Sequence, residues 1–109
     1  MTGSRNLTHI LWMLLATMAP ANAGEAEDAG REIATRLCAR CHATGQTGAS
    51  PLDAAPPFRT FAGKWPLESL EEALAEGIVT GHEMPEFTFD PSQISDLLAH
   101  IRSLEPTRQ

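Results

Sequence analysis

The residues best able to do chemistry stand together in "RLCARCHAT", residues 36–44. Cys38 and Cys41 are three apart, His42 follows at once, and the 109-residue sequence has no other cysteine. On one helical turn, positions i, i+3 and i+4 face the same way. Two thiols so placed can add to the two vinyl groups along one edge of a haem, and the adjacent imidazole then lies under the iron. Cys-x-x-Cys-His is the sequence signature of that covalent attachment. Three other chemistries also use cysteine pairs. A structural zinc ion takes four ligands, whereas the chain after residue 23 offers two thiols and three scattered histidines, His42, His82 and His100. A thioredoxin-like dithiol sits between a strand and a helix, and no strand pattern precedes Cys38. A Cys38–Cys41 disulfide closes a very short loop and stabilises little.

An iron held on one side by His42 and used only to pass electrons needs a second strong ligand. Met84 is the one methionine after residue 23. It stands in "GHEMPEF", where Pro85 restricts it to extended backbone and so can aim its thioether out of a loop. A lone methionine is more often core filler, but a proline-bounded loop is a poor packing element. Methionine–histidine ligation raises the haem potential and leaves no open iron site. His82, two residues earlier, is the competing ligand. His100 lies among apolar residues and reads as a satisfied, partly buried side chain.

Three helical patterns have to place these groups. Residues 25–42 form the first, with Glu25, Glu27 and Asp28 at its start, where the helix dipole favours acids. Ile33, Leu37 and Cys41 recur every four residues beside Ala34 and Cys38, giving one apolar stripe. Gly30 interrupts this helix at a cost of about 1 kcal/mol relative to alanine, which points to a weak helix or a close helix–helix approach. Residues 43–57, "ATGQTGASPLDAAPP", have loop composition. Residues 66–77 form a second helix, with Pro66 in its first turn, Gly77 at its end and Leu67, Leu70 and Leu74 on one face. Residues 90–104 form a third, opening at Pro91, with Ile94, Leu97, Leu98, Ile101 and Leu104 as its apolar face. Only Ile78–Val79 and the alternation at Phe87–Phe89 hint at strand, so the fold class is all-α.

The first 23 residues are different in kind. Arg5 is the only charge, "HILWMLLATMA" is a short apolar run, and Ala21-x-Ala23 is a small-residue cleavage signal. That order is a secretory signal peptide. The apolar run is about half of the roughly 20 residues that a spanning helix needs; the competing reading is a retained anchor. Cleavage after Ala23 leaves residues 24–109 as one domain of 86 residues, periplasmic or secreted, with no membrane span. Its fourteen acidic residues face seven basic ones, a formal charge of −7. Such a surface does not bind nucleic acid, which needs clustered cations. A domain of this size is marginal on an apolar core alone. Its only aromatics are Phe58, Phe61, Trp65, Phe87 and Phe89, so a large apolar group added to the core would matter.

These residues resemble the class I c-type cytochromes, single-haem bacterial electron carriers, across essentially all of residues 24–109. In that family a glycine eight residues before the first cysteine lets the N-terminal helix cross the C-terminal one, and Gly30 stands there. The C-terminal helix usually carries an aromatic over this glycine, in a pattern like "DLVAYLRSL"; here "DLLAHIRSL" puts His100 in its place. The resemblance further implies a proline carbonyl that accepts from Nδ1 of the haem histidine, a bond that strengthens the ligand. Pro56 fits that role best, and Pro57 is the fallback. It implies Met84 in its Met-Pro context as axial ligand, and Trp65 as a contact of a haem propionate or a packing residue. The expectation is therefore a small cytochrome c fold, helices and loops around one covalently bound haem c. Cys38 and Cys41 attach it, and His42 and Met84 ligate the iron. The protein is a monomeric one-electron carrier and not an enzyme. A single lysine, Lys64, argues for redox partners with basic or apolar docking patches. Two other roles stay open: electron-transfer subunit of a larger dehydrogenase or oxidase, and haem-based gas binder with a labile Met84.

Overall fold

The computed structural model describes residues 23–77 and 84–106. Within them the chain is helical, without strand, as expected of a small all-α cytochrome fold. Helix α1 runs Ala23–Leu37. A 3₁₀ turn at Phe58–Thr60 leads into the short α2, Phe61–Lys64. Helix α3 spans Leu67–Glu76 and α4 spans Pro91–Ser103. The expected signal segment, apart from Ala23, lies outside the described residues, as do Ile78–Val79 and His82.

The first helix is shorter than its pattern predicts, ending at Leu37 rather than His42. The Ala34 carbonyl accepts from both Cys38 N–H (2.9 Å) and Ala39 N–H (3.0 Å), which widens and closes the helix. The chain then makes one separate turn, in which the Cys38 carbonyl accepts from Cys41 N–H (3.2 Å) and His42 N–H (2.9 Å). Periodicity cannot separate this turn from a continued helix, because Cys38 and Cys41 keep the same spacing in either case.

The other boundaries follow local chemistry. Pro66 sits just before α3 with extended backbone, and its carbonyl accepts from Ser69 N–H (3.1 Å). Gly77 ends the helix at φ +86°, a conformation that glycine adopts without steric cost. Helix α4 opens on a capping box: Gln93 N–H donates to Asp90 Oδ1 (2.9 Å), and Asp90 N–H donates to Gln93 Oε1 (3.0 Å). Residues 43–57 form no helix or strand.

The core joins Ile33, Ala34 and Cys38 to Phe58, Phe61, Leu67 and Leu74, to Ile94, Leu97, Leu98 and Ile101 of α4, and to Leu104 just past its end. Helix α1 packs chiefly on α4, and Gly30 is buried where they cross. A Cβ at this position would overlap the Asp96 carbonyl oxygen, lie 2.5 Å from the Asp96 carbonyl carbon, and lie 2.9 Å from His100 Cβ. The obstacle is backbone, which cannot step aside as a flexible side chain can. Gly30→Ala is therefore expected to destabilise by about 2 kcal/mol through overpacking, although alanine is the better helix former by about 1 kcal/mol. Thermal unfolding should show the midpoint falling by roughly 8–16 °C for a domain this small. An unchanged or higher midpoint would mean that the helices do not touch there.

Candidate cofactor site

His42 is fixed from two sides. Its Nδ1 lies 2.8 Å from the Pro56 carbonyl oxygen. A carbonyl only accepts, so Nδ1 carries the proton and Nε2 keeps its lone pair free. Its ring also packs against Phe58, with centroids 5.1 Å apart, and meets Phe61 edge-on at 6.0 Å. Phe58 and Phe61 pack on each other at 4.9 Å, and Phe61 meets Trp65 at 5.5 Å. These contacts exist because the 3₁₀ turn and α2 put Phe58, Phe61 and Trp65 on successive turns. Trp65 itself is 46% exposed, with the Lys64 ammonium 5.9 Å from its ring centroid.

The backbone around His42 is held as firmly as its ring. Leu52 N–H donates to the Cys41 carbonyl (3.1 Å), Ala43 N–H to Ser50 Oγ (3.0 Å), and Phe58 N–H to the Ala43 carbonyl (2.9 Å). The Thr44 carbonyl accepts from His100 Nε2 at 2.7 Å. Loop 43–57 thus folds back over the Cys-x-x-Cys-His turn. Sequence pattern marked this loop only as irregular. Ser50, Phe58 and Phe61 gave no signal of their role, and Phe58 and Phe61 stood out only as scarce aromatics.

Both cysteines are free thiols. Cys38 is buried, and removal from water pushes its thiol up to about 11. It is neutral at pH 7 and a poor nucleophile, which disfavours dithiol redox chemistry. Cys41 is half-buried. No three metal-ligating side chains converge among the described residues, so Cys38, Cys41 and His42 share a turn without meeting at one point. A free metal ion would need such a point. A planar group that takes the thiols at its edge and the imidazole at its centre does not.

Met84 stands apart from this turn along the chain. It is half-buried in an apolar depression lined with Leu74, Pro85, Phe87 and Phe89. Leu74 belongs to the core and Phe89 packs against it, while Phe87 stacks on Phe89 at 5.6 Å. Beside Phe58, the buried Nη1 of Arg59 has no hydrogen-bond partner among the described residues.

Residues 25–101 match the profile of a family described as cytochrome c oxidase, cbb3-type, subunit III. The chain belongs to the c-type cytochromes. It is 34% identical over 99 residues to cytochrome c-552 of Bradyrhizobium diazoefficiens, a match that covers 86% of this chain and 91% of the relative. No solved structure gives a significant match. The family's cofactor is haem c and its work is electron transfer. The residues present fit that group: two unpaired thiols on one turn, and beside them an imidazole whose tautomer leaves Nε2 as a donor to iron. No helix among the described residues is long and apolar enough to cross a membrane.

The burial difference between the thiols has a direct readout. In the haem-free chain at pH 8, Cys38 should alkylate at least about tenfold more slowly than Cys41, since thiolate fraction and access set the rate. Mass spectrometry of peptides from partly alkylated protein measures this. Equal rates would mean that Cys38 is not buried.

Proposed function

We propose that this cytochrome is an exported, single-haem carrier of one electron, with Cys38 and Cys41 as thioether attachments and His42 and Met84 as axial ligands. The observation that carries the reading is the His42–Pro56 hydrogen bond. It holds the imidazole in one tautomer, directs the Nε2 lone pair outward and raises the basicity of the ligand. When bound, the haem supplies the Fe(II)/Fe(III) couple, which gains one electron from a donor and returns it to an acceptor. The chain's own residues do the rest. Phe58 and Phe61 wall the imidazole with apolar rings, and the hydrogen-bonded loop 43–57 limits its movement between the two iron charges. Export is supported by the basic, apolar and small-residue order of residues 1–23.

Charge supports the choice of partner. Glu68, Glu71, Glu72 and Glu76 are all exposed on α3, and the one ion pair among the described residues is Arg31–Asp28 on α1. The acidic face of α3 is therefore not neutralised among the described residues and suits a partner with a basic docking patch. Electron transfer to that partner should slow several-fold from low salt to about 0.15 M, where the Debye length falls to ~8 Å. Stopped-flow rates indifferent to salt would leave only an apolar patch. A second reading is favoured by the matched family's own description, which names an oxidase subunit: the domain serves as an electron-entry subunit. Co-purification of a larger enzyme with the tagged chain separates the two.

Absorption spectra of the matured protein test the iron ligands. Sharp low-spin ferrous bands with a weak far-red ferric band, the mark of sulfur on iron, are expected. Met84→His should keep the low-spin state, abolish the far-red band and lower the midpoint potential, because methionine ligation raises it. A far-red band that survives the substitution removes Met84 from the iron. A low-spin wild type without that band turns attention to His82. A high-spin wild type, or rapid carbon monoxide binding, means an open iron and a gas binder.

A further inference from the structure

His100 is a buried polar residue in the core, 5% exposed, and neither the haem attachment nor the axial ligation uses it. It stands on α4 one turn after Asp96, and its Cβ is 2.9 Å from where a Cβ on Gly30 would be. From there its Nε2 reaches the Thr44 carbonyl at 2.7 Å, across 56 residues of sequence. The carbonyl only accepts, so Nε2 carries the proton. Thr44 is two residues beyond His42. The other bonds to this stretch, from Leu52, Ser50 and Phe58, come from the loop and the 3₁₀ turn that follow it. The His100 bond comes from the C-terminal helix and ties the stretch to the α1–α4 crossing. A phenylalanine here would fill the space and leave the Thr44 carbonyl unpaired in a partly buried place.

We propose that His100 is a positioning residue for the Cys38–His42 turn: its Nε2–H holds the Thr44 carbonyl and thereby fixes the orientation of the His42 imidazole from the crossing. The proposal rests on the haem reading of that turn. In the ferric matured protein, the spread and order of the hyperfine-shifted haem methyl resonances report the orientation of an axial imidazole. Exchange of the Phe58 amide, which donates to Ala43 next to Thr44, reports opening of the same stretch. His100→Phe keeps a ring and loses the donor, whereas His100→Gln keeps an N–H donor near the place of Nε2. His100→Phe is expected to reorder the methyl resonances and to speed Phe58 amide exchange about tenfold, the scale of one lost hydrogen bond. His100→Gln is expected to restore both. A His100→Phe protein with a lowered melting point but unchanged methyl order and Phe58 exchange overturns the proposal and leaves His100 as packing. If His100→Phe does not fold, nitrogen NMR of the wild type decides: an Nε2–H tautomer in slow exchange upholds the bond, and an Nδ1–H tautomer overturns it. Failure of the haem reading would show separately, as a wild type without a c-type haem spectrum. The tautomer and the Phe58 exchange still judge the His100–Thr44 bond in that case.

Discussion

At Gly30 the backbone of α1 lies against the Asp96 carbonyl of α4, and the described chain is arranged around that contact. The approach is closer than any side chain permits, so Gly30 contributes by what it lacks. It gives up helix propensity worth about 1 kcal/mol and gains an interface in which Ile33 and Ala34 meet the buried face of α4. The same contact sets where α1 ends relative to α4. Cys38 leaves the helix one turn past Ala34, already buried, and His100 stands within reach of the stretch beyond His42. Move the crossing by one turn, and both the thiol pair and the histidine bond lose their register.

From the crossing, constraint passes to His42 along hydrogen bonds rather than through apolar packing alone. Pro56 fixes the imidazole, Phe58 N–H fixes the Ala43 carbonyl, and His100 fixes the Thr44 carbonyl. The ring itself makes the first of these bonds, and the other two hold the backbone that follows it. Buried polar networks of this kind specify one arrangement when every member is satisfied. An electron carrier benefits from such a support, since a ligand that moves little between the two iron charges adds little to the energy of reorganisation.

Much of this was legible because it depends on local chemistry. Pro91 at the start of α4, the glycine at the end of α3 and the apolar stripe of α4 are written in short stretches of sequence. The spacing of Cys38, Cys41 and His42 alone pointed to the haem attachment proposed for them. What could not be read depended on contacts distant in the chain. The early end of α1 at Leu37 comes from a carbonyl shared by two amides, which leaves periodicity untouched. The packing of Phe58 and Phe61 on His42 needs the loop 43–57 folded back, and loop composition says nothing of where a loop returns. His100 read as a satisfied core histidine, but its acceptor lay 56 residues away.

The two proposed iron ligands stand on supports of different kinds. His42 is bound by hydrogen bonds to backbone that is itself anchored at the α1–α4 crossing. Met84 belongs to a segment without helix or strand, joined to the core through the apolar contacts of Phe89 and the depression around Leu74. Directional bonds hold an angle, whereas apolar contacts hold a distance and tolerate sliding. Local opening in proteins begins where buried apolar contacts are few. Destabilisation should therefore reach the Met84 side of the iron first, and the His42 side should fail only with the fold as a whole. On the proposed ligation, that asymmetry makes Met84 the residue through which potential and ligand exchange can vary without disturbing the turn that carries Cys38, Cys41 and His42.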